Sequence, residues 1–279
     1  MKTNMMKRIT ILAMATIVAA VMLLAGTTQN TYASSEYTST AAAGQYMMQN
    51  IVNHSSTIKV SVVSSNDSGS EVSKSVFNNA IASSDIGDYY RYSVYNGYNV
   101  NWSYYTTNGN THYEFTYKMK YKTTLSQDKA FEKKLNKTVK SLKLSGKSNY
   151  AKTKAIYKWI TNNVKYDYNS SNATKYTAYA ALNKGKAVCQ GYATLFYRMC
   201  DAAGVDAKVI TGSSYGEGHA WNIVKVGSKY YNVDSTWDAG DNRYSYFLKG
   251  SKEFKSHNRA SSFKTTSFTS EYPTAVSNY

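Results

Sequence analysis

Two cysteines occur in the 279-residue chain, and one of them is placed where chemistry is feasible. Cys189 lies in GKAVCQGYA (185–193), and the apolar spacing of VCQGYATLFYRMCDAAG (188–204) predicts a helix that closes at Gly204. Cys189 then falls in the first turn, where unpaired backbone N–H groups and the positive end of the helix dipole favour a thiolate. The same N–H groups can receive an oxyanion. Gly185 permits a tight approach before the helix, and small Gly191 and Ala193 leave room for a substrate carbonyl. Cys200 is no disulfide partner, because eleven helical residues place it about 16 Å away, against the roughly 7 Å that a bridge allows between Cα atoms. It reads as a buried small hydrophobe.

A nucleophilic thiolate needs a base, and the base needs an orienter. Both candidates lie in GEGHAWNIVKVGSKYYNVDSTWD (216–238). AWNIVKV and KYYNVDSTW are strand-like runs around Gly227-Ser228, and glycine first in a two-residue loop suits a type II′ turn. That turn pairs Val226 with Lys229, hence Trp221 with Asp234 and His219 with Thr236. His219 and Asp234 then share a face as diagonal neighbours, within reach for a carboxylate to hold an imidazole. A register slip of one residue would put Asp234 on the other face. Taken singly, His219 reads first as a locally satisfied histidine and Asp234 as easily as a strand-end turn former; their pairing, the glycines around Glu217 and the helix-start Cys189 together favour catalysis.

Other chemistries find little support. His54, His112 and His257 show no ligand spacing with cysteine or with one another, so neither a metal nor another cofactor is expected. DSTWDAGDN (234–242) lacks the alternating ligands of an EF-hand, and no phosphate-cradling glycine loop occurs.

The elements that must position these residues are legible in outline. AAAGQYMMQNIVNH (42–54) and EVSKSVFNNAIAS (71–83) read as helices, and TIKVSVV (57–63) as a strand. YYRYSVYNGYNVNWSYY (89–105) and THYEFTYKMKYKT (111–123) read as Tyr-rich strands around TTNGNT (106–111). From Leu125 the pattern turns helical: Phe131, Leu135, Val139 and Leu142 form one stripe ending before Gly146, and Ala155, Ile156, Trp159, Ile160 and Val164 form another. The expected organisation is a small α+β Tyr-rich module over 34–124 and a catalytic domain over 125–279.

Residues 1–33 carry Lys2, Lys7 and Arg8, an apolar run from Ile9 to Ala25, and small Ala33, the grammar of a signal peptide cleaved near Ala33. The chain is therefore expected to be secreted or associated with the cell surface. The remaining 246 residues carry 30 basic against 17 acidic side chains, a net charge of +13. This points to an anionic cell-envelope polymer as a possible partner. Nucleic acid is not expected, because the lysines are scattered rather than massed. The 28 tyrosines read first as ordinary strand chemistry and second as a ring-lined binding surface.

VCQGYA, GHAWN and YYNVDSTWD together resemble the transglutaminase-like superfamily, over roughly residues 147–256. The resemblance extends through KYDY (165–168), TAYAAL (177–182) and YSYFLKGSKEF (244–254). It implies an α+β fold with a papain-type core, an antiparallel sheet packed against the nucleophile helix. It implies Cys189 as nucleophile, His219 as general base and later acid, and Asp234 as orienter, in agreement with the residue-by-residue reading. A polar ring upstream of the cysteine is common in such relatives, and Tyr179 is the candidate. The expected activity is acyl transfer from carboxamides of a protein or peptide through a Cys189 thioester, giving cross-linking or deamidation. Peptidase or amidase action on peptide or cell-wall bonds is the alternative, as is a non-catalytic envelope-binding module. Oligomeric state is left open.

Overall fold

Two glycine-bearing turns set the registers of two sheets. The protein is described here by a computed structural model over residues 36–65, 67–241 and 243–279; the expected signal segment, residues 1–33, lies outside them. At the first turn Asn108 and Gly109 both have positive φ, 50° and 77°, the type I′ geometry that matches the twist of paired strands. It joins β3 (Tyr95–Thr107) to β4 (Asn110–Tyr121), opening on the pair Thr107↔Asn110. β2 (Thr57–Ser64) pairs antiparallel with β4, and β1 (Glu36–Tyr37) adds in parallel, for the order β1-β2-β4-β3. Helices α1 (Thr40–Val52) and α2 (Gly69–Ala82) bury Met47, Ile51 and Val76 against Val60, Val62, Phe115 and Tyr117 of this sheet. Ser68 and Glu71 cap α2 reciprocally. Trp102, Tyr104 and Tyr105 remain exposed on edge strand β3.

The Tyr-rich stretch 89–105 is not one strand. Gly87–Tyr89 forms a helical turn, Tyr90–Val94 a π-helical turn, and only from Tyr95 is the chain extended. Tertiary packing overrides strand propensity here. Tyr89 is buried, stacked on Phe131 with ring centroids 5.2 Å apart, and Ser93 Oγ accepts a hydrogen bond from the Ala178 N–H at 2.9 Å. Tyr89 and Val94 thus belong to the second core. The two sheets part near residue 124, but residues 36–279 cluster as one compact unit.

In the second core, α3 (Leu125–Ser141) starts at Thr124, capped reciprocally with Gln127, and buries Phe131 and Leu135. α4 (Asn149–Asn163) buries Ile156, Tyr157 and Ile160, while Ala155 and Trp159 lie at its half-buried margin. α5 (Cys189–Ala202) is buried along every residue from Gly191 to Cys200. It packs on a second sheet, order β10-β7-β8-β9, made of β7 (Ala207–Ser214), β8 (Glu217–Val226), β9 (Lys229–Val233) and β10 (His257–Arg259). Alternation along these strands sends Val209, Ala220, Val224 and Val233 into the α5 core, and Ile210, Trp221, Ile223 and Tyr230 into a smaller cluster with Phe254. A short helix, α6 (Thr266–Glu271), follows β10. The class is α+β, with an antiparallel sheet against the cysteine-bearing helix. Among the described residues no helix is long and apolar enough to cross a membrane.

Candidate active site

Cys189 is the first residue of α5; Val188 before it is extended and supplies no side-chain cap. The first N–H groups of the helix therefore have no side chain competing for them. Cys189 is half-buried and Cys200 fully buried, and both are free thiols. Burial pushes the Cys200 thiol well up, leaving it protonated and inert.

The β8–β9 hairpin has the register expected from Gly227-Ser228. Val226 pairs with Lys229 and the ladder runs to Asn222↔Val233, while Gly227 alone of the loop has positive φ, 64°. Asp234 follows directly after the last ladder pair. Its Oδ2 lies 2.7 Å from His219 Nε2, and its Oδ1 accepts from the Thr236 and Trp237 N–H groups at 2.9 and 3.3 Å. Asp234 is thus a strand-end turn former and an imidazole partner at once, one oxygen for each task. The Cys189 side chain lies close enough to the His219 ring to help raise its pKa. With Nε2 engaged by Asp234, Nδ1 is the ring atom left for the sulfur. The fold brings Cys189, His219 and Asp234 together.

Charge at this cluster favours an imidazolium. Burial acts to lower the His219 pKa, but the hydrogen bond to Asp234 and the nearby Cys189 outweigh it and raise it from its ordinary 6.5 to about 9. Burial acts to raise that of Asp234, yet the His219 and His257 hydrogen bonds hold it below the usual carboxylate range. A histidine whose folded pKa is raised contributes stability that is complete below its unfolded value of about 6.5 and lost as pH rises through about 9. The melting temperature is expected to fall across pH 6.5–9 more steeply in the native protein than in His219→Gln. Superimposable profiles would contradict this charge assignment.

His257 is the residue that sequence spacing missed. Its Nε2 lies 3.0 Å from the same Asp234 Oδ2, and its Nδ1 lies 2.9 Å from Ser256 Oγ. Its ring is stacked 3.9 Å from Phe254. It arrives because β10 pairs with the far side of β7, with His257 opposite Ser214. A Cβ at Gly212, opposite His219 on β7, would lie 2.1 Å from the Asn258 carbonyl oxygen, so glycine is what lets β10 approach. No local signal in the sequence announces this pairing. His219, Asp234 and His257 hold ligand atoms within 4.8 Å of one another, a cluster that could hold a metal ion and that the linear spacing of histidines did not foretell. The histidine–carboxylate distances are those of hydrogen bonds, and both Asp234 oxygens are engaged, so hydrogen bonding alone accounts for the arrangement.

One expectation about neighbours needs correction, and another gains a second candidate ring. Tyr179 packs on the core with Lys184 over its ring at 5.7 Å. A second ring toward the cysteine is Tyr166, whose pKa is raised first by burial and then by the cysteine's charge. Tyr166 follows Lys165 on β5 (Lys165–Tyr166), a strand that pairs in parallel with β6 (Lys186–Ala187) just before the helix, and so is carried to the site from its other side. Gly191 makes no room for substrate, since a Cβ there would lie 2.6 Å from Ala187 Cβ and 2.9 Å from the Thr177 carbonyl oxygen. It is small so that α5 can sit on the preceding strand.

A cleft of about 860 Å³ opens beside His219, walled by Tyr166, Tyr168, Tyr215, Trp237 and Gly218. Trp237 lies 5.6 Å from the His219 ring and stacks on exposed Tyr215 at 5.1 Å. Behind the site the buried Tyr157 hydroxyl shares its single proton between the Asp234 carbonyl oxygen, 2.7 Å away, and Asp238 Oδ2. Tyr157→Phe leaves both acceptors short of a partner and is expected to destabilise the fold by about 1–3 kcal/mol. Urea unfolding reads this directly, and an unchanged midpoint would show that the hydroxyl has no such role.

A thiol at a helix start, an imidazole on a central strand and a buried carboxylate are the layout of thiol-dependent enzymes. Residues 136–235 match the family model described as the transglutaminase-like superfamily. Over 121 residues the chain is 34% identical to kyphoscoliosis peptidase of Mus musculus, a match covering 38% of this chain and 18% of the relative. The Homo sapiens protein of that name is 32% identical over 121 residues, with the same coverage. The chain thus spans about a fifth of the length of these curated relatives. A solved structure described as a TGase is 19% identical, covers 64% of this chain and 51% of its own, and superposes with a TM-score of 0.37.

Proposed function

We propose that the protein is a cysteine-dependent acyl transferase in which Cys189 attacks the carbonyl of a protein or peptide carboxamide. The observation that carries this reading is His219 held 2.7 Å from Asp234 Oδ2, with the Cys189 side chain at the start of α5 near enough to raise the pKa of its ring. In the proposed sequence the Cys189 thiolate, paired with imidazolium, adds to the carbonyl carbon, and the oxyanion is received by the helix-start N–H groups and the Tyr166 hydroxyl. The His219 proton passes to the leaving nitrogen, ammonia or an amine departs, and a Cys189 thioester remains. His219, now neutral, takes a proton from the acceptor as that acceptor attacks the thioester, and the thiolate returns.

An amine acceptor gives a cross-link and water gives deamidation. Hydrolysis of a peptide bond through the same thioester is the second reading, favoured by the name peptidase on the relatives matched over this segment. A glutamine-bearing peptide, a fluorescent primary amine and the protein separate the readings. Amine incorporated into the donor, or ammonia released from it without cleavage, supports acyl transfer; donor cleavage without incorporation supports the peptidase; the absence of all of these leaves the fold as a binding module.

Export and envelope docking belong to the same proposal. They are supported by the signal-like pattern of residues 1–33 and the net charge of +13 beyond it. Residues 34–124, with Trp102, Tyr104 and Tyr105 exposed, are the part assigned to docking.

A further inference from the structure

On the side of His257 away from His219 the molecule carries a second cavity, of about 580 Å³. It lies between the Trp221 face of the β7–β10 sheet and the segment from β10 through α6 to Thr274. Its lining includes Arg259, Lys264 and His257 and not a single aspartate or glutamate. Phe254, Phe263 and Tyr272 supply aromatic walls.

One of its donors lacks the partner that burial normally demands, and another is engaged only in part. Arg259 is half-buried and donates only to the Asn232 amide oxygen and the Thr274 hydroxyl, at 3.0 and 3.2 Å, both through one terminal nitrogen. The buried Arg198, by contrast, is paired with Glu132 and Asp201. A guanidinium presents five donors in a fixed fork, so most of the Arg259 fork is left for another acceptor. Trp221 is 1% exposed, and its indole N–H has no acceptor among the described residues. Buried donors of this kind ordinarily have a partner. Lys264 is exposed and donates to Asn258 Oδ1 at 2.7 Å, which holds its ammonium in this region.

We propose that this cavity is a binding site for a carboxylate-bearing ligand. The carboxylate lies against the Arg259 fork, with the Lys264 ammonium as a further donor. The apolar part of the ligand packs among Phe254, Phe263 and Tyr272. The occupant would contact His257, which itself donates to Asp234, so it would sit one side chain from the candidate triad. The site stands on its own residues, whether or not Cys189 turns over.

Benzoate is a suitable probe, with benzamide as its uncharged counterpart, titrated calorimetrically into the full chain at fixed ionic strength. Saturable binding of benzoate and not benzamide, weakened at least about tenfold in Arg259→Gln and partly restored in Arg259→Lys, is the expected result. Lys264→Gln, a change at an exposed side chain, is expected to weaken benzoate severalfold and keeps the test decisive should the Arg259 variants fail to fold. A peptide with a free carboxyl terminus, compared with its amide, tells a peptide source of the carboxylate from a small acid. Equal binding of benzoate and benzamide, binding of neither, or undiminished benzoate binding in both Arg259→Gln and Lys264→Gln would overturn the proposal.

Discussion

Cys189→Ala is expected to abolish amine incorporation and donor cleavage alike, lowering kcat/KM by at least about 10⁴-fold, because every later step requires the thioester. The half-buried sulfur is replaced by a methyl group at a helix start that has no side-chain cap to lose, so the melting temperature should barely move. Cys200→Ala is the matching control. Its thiol is fully buried and held protonated, so it should cost some stability through a small cavity and leave turnover near normal. Iodoacetamide should label one cysteine in the folded protein and two after unfolding. Equal turnover in Cys189→Ala and the native protein, or a folded protein that resists alkylation at Cys189, would remove the enzymatic reading and leave the binding module.

Asp234→Asn is expected to cost about 10³–10⁴-fold in kcat/KM, an effect of the size seen when an equivalent triad carboxylate is made an amide. The physical reason is the tautomer. The Asp234 carboxylate accepts from both His219 and His257 through one oxygen, while its other oxygen caps the turn at Thr236 and Trp237. Asparagine keeps the turn bond through its carbonyl and offers the histidines an NH₂ instead. Each imidazole must then present a bare Nε2 and move its proton to Nδ1, and for His219 that places a proton on the nitrogen meant to face the sulfur as a base. The loss should fall mainly on kcat, and the variant should remain folded, because the turn and the Tyr157 bond to the Asp234 carbonyl survive. The pH–rate profile supplies the readout that a purely structural role would not move. Its His219-dependent limb, placed by the raised pKa of about 9, should shift toward the ordinary imidazole value. A variant with normal kcat and an unmoved limb would show that Asp234 does not orient His219.

The sequence by itself determined those features whose causes are local. The helix start that carries Cys189 follows from apolar spacing. The partnership of His219 with Asp234 follows from a two-residue glycine turn, since strand alternation then leaves a single register that puts both on one face. The helical stripes of Phe131–Leu135 and Ile156–Ile160 were legible for the same reason, a 3.6-residue period written within each segment.

Only the tertiary structure decided what depends on distant segments meeting. His257 reaches Asp234 because β10 joins the far edge of β7 across Gly212, a pairing between residues more than forty positions apart. Tyr166 is carried toward the start of the cysteine helix because β5 pairs with the strand that precedes it. Residues 87–94 turn helical because burial of Tyr89 against Phe131 outweighs the strand preference of tyrosine. Local propensities differ by roughly 1 kcal/mol or less per residue, whereas burying an aromatic side chain is worth about 1.5–3 kcal/mol, so wherever the two conflict the contact made across the fold prevails.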